Sequence, residues 1–325
     1  MDAVARRRLD AIQGAAGRDA SLPVVVWSAG PGPTVAITAN VHGDEVVGVA
    51  AAHALDDAMG STLRRGTLLI YPSLNPRGLQ QMVRVHPEEG TDLNRVFPGD
   101  RQGGGTARCA ALIWSDLVAR RPDVLIDLHS DSSVSIPYAI VDRATSLRPD
   151  ARTEMEARLE ELARCTGLLV LHEYPPEEYV RFRLDRSLAG AMVNHARIPA
   201  LTLEVGARRT VDPSSVRAAT HAVLRVLHLL DMLTAPPPEP DAPAPTGAWR
   251  RAAAPRTQTA GLFTPALPPG ARFAAGQVLG TVRAVDGSVR EVLRAEARGL
   301  VVSWSEAPWL DARGVPGTLG LEERT

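Results

Sequence analysis

Between residues 23 and 233, short apolar runs alternate with longer amphipathic ones, and that alternation restricts the chain to one class of fold. The runs "PVVVW" (23–27), "TVAITAN" (34–40), "GTLLIYP" (66–72), "DVLIDLHS" (123–130), "SIPYAIV" (135–141) and "PALTLEVG" (199–206) read as strands. Segments 44–59, 106–121, 151–167, 186–197 and 213–233 carry apolar residues at helical spacing, and Thr106 is placed to cap the second after "GGG". Strands apolar on both sides need helices on both sides. The expectation is an α/β fold, a mostly parallel or mixed central sheet with helices on both faces. In such sheets ligands gather outside the carboxyl ends of the strands.

The pattern stops at "APPPEPDAPAPTG", residues 235–247, whose prolines favour an extended, semi-rigid connection. Beyond it, short β-rich runs separated by Gly, Pro and a "DG" turn predict a small all-β module. The organisation expected is a catalytic domain over 1–234, a linker over 235–247 and a β-rich domain over 248–325.

Polar side chains at strand ends mark where chemistry can occur. His42 and Glu45 follow "TVAITAN", His129 ends "DVLIDLH", and Glu204 nearly ends "PALTLE". In a parallel sheet these ends meet at one edge. Catalytic zinc takes three protein ligands from His and carboxylate and keeps a position open. His42, Glu45 and His129 supply such a His₂Glu set, and the H-x-x-E spacing lets two of them reach one ion from a single loop or first helical turn. Asp44, between them, would point elsewhere. His53, His221 and His228 fall within helices, and His86, His172 and His195 are lone residues near candidate substrate loops, so none is expected as a ligand.

A second polar cluster lies in "VRVHPEEGTDLNRVFPG", residues 83–99. Arg95 offers a planar fork for a carboxylate and Asn94 an added donor, while Arg84 can place positive charge beside a developing oxyanion. In the polar loop 172–185, Tyr174 and Tyr179 are candidates for lining the substrate pocket.

Several function classes are disfavoured by composition. The formal net charge is −1, so no global field recruits nucleic acid or membrane. All 36 basic residues are arginine, which removes a phosphate-loop lysine, a Schiff-base lysine and a lysine-tethered carrier group. The "GGGT" at 103–106 therefore reads as a loop before a helix. Cys109 and Cys165 have no metal-like or redox-like spacing and read as buried small hydrophobes. The first residues lack the apolar core of a signal peptide, and no run approaches the ~20 apolar residues of a membrane span. A cytoplasmic enzyme is expected, with assembly into a homo-oligomer compatible with the sequence.

The motifs "HGDE", "NPRG", "DLNRVFPG", "DLHS" and "LEVG", in this order across most of residues 30–210, resemble the succinylglutamate desuccinylase/aspartoacylase family of the zinc carboxypeptidase-like fold. The trailing β module after a linker is also similar to that family's. The resemblance implies a zinc-dependent hydrolase, with one zinc per chain, that cuts the amide of a small N-acylated amino acid. It implies His42, Glu45 and His129 as metal ligands and Glu204 as general base and then acid. It also implies Arg84 as the arginine that polarises the scissile carbonyl, and Asn94 with Arg95 as the pair that grips the substrate carboxylate. The long stretch between Arg84 and "DLNR" is more similar to the deacetylase-like branch. In aspartoacylase another substrate-binding arginine precedes the "EVG" strand. Here Asn194 stands near that place, with either Arg186 or Arg197 open as a substitute, a departure from aspartate-type specificity. The C-terminal module has the glycine-punctuated pattern of a biotinyl or lipoyl carrier but no lysine to carry the group, which leaves a structural or entry-narrowing role. The rival readings are a metallo-carboxypeptidase acting on short peptides and a non-catalytic zinc-binding relative.

Overall fold

The computed structural model describes residues 4–12, 22–240 and 243–323. The first nine strands are β1 (Ala5–Ile12), β2 (Leu22–Ser28), β3 (Thr34–Ala39), β4 (Thr67–Tyr71), β5 (Val124–His129), β6 (Val134–Ser135), β7 (Tyr138–Val141), β8 (Leu169–His172) and β9 (Ala200–Glu204). The helices are α1 (Val47–Thr62), α2 (Pro76–Gln81), α3 (Gly105–Arg120), α4 (Pro149–Cys165), α5 (Pro176–Arg181), α6 (Leu188–Ala191) and α7 (Pro213–Leu229). Eight strands follow the Pro-rich segment: β10 (Trp249–Ala253), β11 (Gly261–Pro265), β12 (Arg272–Phe273), β13 (Val278–Arg283), β14 (Val289–Arg294), β15 (Gly299–Trp304), β16 (Trp309–Leu310) and β17 (Gly317–Glu322).

The centre of the sheet is parallel in the order β4-β3-β5-β9, with β2 antiparallel on one side and β7 antiparallel on the other. Its middle strand, "VLIDLH", is buried at every position. Helix α1 packs on β3, β5 and α7, and α4 on β7, β8, β9 and α7. The main core gathers side chains such as Ile37, Leu55, Ile70, Ile126, Leu201 and Val223. Each buried aliphatic side chain of this kind contributes roughly 1.5–3 kcal/mol. The fold is thus the mixed α/β sheet expected, and the carboxyl ends of β3, β5 and β9 share one edge.

Two local expectations are corrected. Gly104, rather than Thr106, is the residue before α3. The Glu89 carboxylate, reaching over from the preceding loop, accepts the backbone N–H groups of Gly105 and Thr106 and the Thr106 hydroxyl, so an acid from outside the helix meets its positive end. The helix expected over 186–197 is broken into a 3₁₀ turn (Leu184–Arg186), α6 and a π-type turn (Met192–Ala196).

The C-terminal β module is only partly a separate layer. Strands β14-β13-β11-β16 form their own antiparallel sheet, but β10 pairs with β8 in parallel and β15 pairs with β6, so β10-β17-β15-β12 extends the main sheet. An apolar cluster of Tyr138, Ile140, Leu169, Leu171, Trp249, Leu300 and Val302 seals the junction. The described residues of the Pro-rich segment carry neither helix nor strand. Among the described residues no helix is long and apolar enough to cross a membrane.

Candidate metal centre and active site

The turn after β3 is held by one side chain. Asn40, at φ 59°, donates from Nδ2 to the backbone oxygens of His42, Gly43 and Glu45 at 2.9, 3.0 and 3.1 Å, and the Ser73 hydroxyl donates to its Oδ1 at 2.6 Å. Gly43 is required here by contact, since a Cβ would fall 2.1 Å from the carbonyl carbon of Gly78. The turn aims His42 and Glu45 at the end of β5, where His129 stands.

Glu45 is the hub. Its Oε1 lies 2.7 Å from His42 Nδ1 and accepts from Arg84 Nη1 at 3.2 Å, while Oε2 lies 2.8 Å from His129 Nδ1 and accepts from Ser130 N at 3.1 Å. The outward nitrogens are held as well, His42 Nε2 by Asp92 at 3.2 Å and His129 Nε2 by Asp127 at 2.9 Å. Asp127 is in turn fixed by the Thr38 hydroxyl at 2.7 Å. Burial alone would raise the Glu45 carboxyl, but the two imidazoles hold it well below its usual range. Burial likewise opposes charge on His129, yet Asp127 and Glu45 raise it well above an ordinary imidazole.

These three side chains fit a divalent ion. One ligand atom from each lies within 4.8 Å of the others. Both Nδ1 atoms face the shared carboxylate while both Nε2 atoms rest on other carboxylates, the arrangement that orients histidine ligands at zinc.

Glu204 is registered directly opposite His129 across β5 and β9. Burial pushes its carboxyl up to about 7, with His129 pulling the other way. A carboxylate poised near neutrality beside a cation site can take up and return a proton.

A cavity of about 130 Å³ joins this cluster to the second group of residues. Arg84, Asn94 and Arg95 all line it. Asn94 Oδ1 accepts from Leu188 N at 2.7 Å, and Arg95 Nη1 donates to the Asn94 carbonyl at 2.7 Å. Tyr138 lies opposite Glu204, and Ile140 on β7 and Asp142 just beyond its end continue the cavity lining. Burial and the neighbouring Glu173 push the Asp142 carboxyl up to about 7.

The tyrosines expected in the pocket do not line it. Tyr179 is fully buried, its hydroxyl accepting from Asn194 Nδ2 at 3.3 Å, and Tyr174 packs edge-on against Phe182 with the Arg251 guanidinium above its ring. Asn194 is spent on the backbone, donating to the carbonyls of Arg143 and Gly190 and accepting from Ser146 N. Arg186 and Arg197 are exposed and lie outside the cavity, as do His86, His172 and His195. Cys109 and Cys165 carry thiols that burial raises to about 11.

Sequence reasoning missed Arg251, Glu173 and Asp142 in the cavity wall and Asn40 and Asp127 behind the cluster. Asn40 and Asp127 stood inside motifs already singled out. Arg251 carried no signal, because it arrives from beyond the Pro-rich segment.

Comparison with known proteins agrees with this picture. A sequence model of the Succinylglutamate desuccinylase/Aspartoacylase catalytic domain matches residues 31–230. An N-alpha-acetyl-L-2,4-diaminobutyric acid deacetylase of Halomonas elongata is 31% identical over 198 residues, 60% of this chain. The match spans 54% of that relative, about half its length. The crystal structure of an aspartoacylase family protein from Mesorhizobium loti superposes with TM-score 0.80 at 21% identity, covering 100% of this chain and 96% of that one. A metallo-carboxypeptidase from Burkholderia cenocepacia superposes with TM-score 0.53 at 17% identity over 70% of this chain and 64% of its own. At these identities the two structures speak for the fold, which is carboxypeptidase-like.

Proposed function

Because this chain belongs to the succinylglutamate desuccinylase/aspartoacylase family, we propose that it is a zinc-dependent deacylase that hydrolyses the amide of a small N-acylated amino acid. The observation that carries the reading is the convergence of His42, Glu45 and His129 within 4.8 Å, with Glu204 registered beside His129. In this reading those three residues hold one zinc ion per chain. A zinc ion so held would supply Lewis acidity, activating water and polarising the amide carbonyl.

The rest is done by the chain. Glu204 takes a proton from the attacking water and returns it to the leaving amine, a role suited to a carboxyl raised to about 7. Arg84, on the cavity wall beside Glu45, adds positive charge where the carbonyl oxygen becomes negative. Asn94 and Arg95 grip the substrate carboxylate and set the amide over the cluster. Arg251, from the 248–325 part, closes one side of the cavity, which favours a small substrate over a peptide. Residues 1–234 would then form the hydrolase part and 235–247 the connection.

The test is primary-amine release from N-acetyl, N-succinyl and N-formyl amino acids and short peptides, each with and without a chelator. The Halomonas relative brings N-α-acetyl-2,4-diaminobutyrate into that panel. Chelator-sensitive release from one acyl amino acid with peptides untouched is expected. Peptide turnover would move the protein to the carboxypeptidase reading.

A further inference from the structure

Four arginines line the cavity, and they are not equally occupied. Arg84 donates to Glu45 and Asp92. Arg208 turns its Nε, which like that of Arg251 has no hydrogen-bond partner among the described residues, to within 3.8 Å of Glu306, an acid outside the cavity lining. Arg251 gives Nη1 to Glu173 Oε1 at 2.7 Å, while its Nε is buried with no partner. Arg95 has no carboxylate within ion-pair distance among the described residues, and its one side-chain hydrogen bond goes to the Asn94 carbonyl. Burial and the nearby charges of Arg84 and Arg251 work against the Arg95 guanidinium, with Asp92 opposing them.

The acids of the cavity do not settle this account. Both Glu45 oxygens are engaged in the metal cluster, Asp131 accepts from the Tyr138 hydroxyl, and Asp142 accepts from Arg143 N. Glu173 gives its second oxygen to Tyr174 N, and Glu204, the remaining acid of the lining, favours the Arg251 charge without forming an ion pair with it among the described residues. Two guanidiniums therefore face one cavity with a single carboxylate directly paired to either. The Arg95 charge, buried without a directly paired acid among the described residues, is the costly one, and a planar fork pairs best with a carboxylate.

We infer that Arg251, from the C-terminal β module, joins Arg95 in a two-guanidinium clamp for the substrate carboxylate. The assignment rests on the deacylase reading above. It gives the module a part in substrate recognition and places a second cationic contact on β10, where Asn194, Arg186 and Arg197 do not reach. The ring of Tyr174, 5.4 Å beneath the guanidinium, and Glu173 hold the fork in place.

The test crosses a change in the enzyme with a change in the substrate. Wild type, Arg251→Lys, and the double variant Arg251→Gln/Glu173→Gln, which leaves no orphaned acid, are assayed zinc-loaded on the preferred acyl amino acid and on its α-carboxamide. For the carboxylate substrate the double variant should lose about 10- to 100-fold in kcat/KM, mainly through KM, with Arg251→Lys in between. The carboxamide should be hydrolysed alike by all three. Equal loss on both substrates would reduce Arg251 to a structural part of the wall, and no loss would remove it from the site.

A second arm does not need turnover. N-acetylglycine, but not N-acetylglycinamide, should raise the unfolding midpoint of the zinc-loaded wild type, and the double variant should lose that response. If the wild type cleaves nothing in the panel, the deacylase reading fails while this arm still decides the clamp. Equal stabilisation by both compounds, or by neither, would overturn it.

Discussion

At one end of the cavity His42, Glu45 and His129 have every ring nitrogen and carboxylate oxygen engaged, whereas at the other, among the described residues, Arg251 keeps an unpartnered Nε and Arg95 lacks a directly paired acid. The first end is closed by the protein itself. Asp92 and Asp127 hold its two imidazoles and Asn40 holds the backbone of its turn, which is how a site keeps an ion at fixed geometry. The second end keeps donors in reserve, which suits a group that must come and go.

The largest effects should come from breaking the closed end. His129→Ala should abolish tight zinc binding and bring turnover to the chelator-treated level. Tight zinc in that variant, measured by metal analysis after dialysis, would remove His129 from the ligand set. Glu204→Ala should keep zinc yet lose at least ~10²-fold in turnover. Near-wild-type rates would take Glu204 out of the mechanism.

Next in size is the support behind the ligands. Asp127→Ala leaves all three ligands in place and should weaken zinc by about 10- to 100-fold in a competition titration. Unchanged affinity would mean that the Nε2 contact does not orient His129. A pH profile sharpens the same comparison. As a base Glu204 must be ionised, and its carboxyl stands at about 7, so kcat/KM should fall as pH drops through that value. The positive charge of a bound ion draws that limb lower. A profile without an acid limb would contradict the assignment.

The open end should respond least. Burial holds Asp142 protonated up to about 7, so its ionisation works against the native state as pH rises from the ordinary carboxylate range to that value. Asp142→Asn removes this penalty. Its unfolding midpoint should gain on wild type across that window and run parallel above it. A constant offset at all pH values would show that Asp142 titrates normally.

The same contrast explains what could be read from the chain beforehand. The fold class followed from alternation over 23–233. The grouping of His42, Glu45 and His129 was legible because these residues follow or end strands that lie together in a parallel sheet. A polar loop suggests Tyr174 and Tyr179 as pocket residues, yet the loop turns Tyr179 inward onto Asn194 and Tyr174 under Arg251. Thr106 has the right side chain for a cap, but Glu89 comes from outside the helix and takes that place. Arg251 could not be read at all, because its position follows from the pairing of β10 with β8 across the proline-rich segment, and no local pattern encodes that partnership.

That pairing also sets an order of events during synthesis. Chains fold from the N-terminus as they leave the ribosome. His42, Glu45, His129 and Glu204 all precede β10 in the chain, so every residue of the cluster is made while Arg251 is still to come. Pairing of β10 with β8 brings the last residue of the cavity lining into place from the last part of the chain to be made.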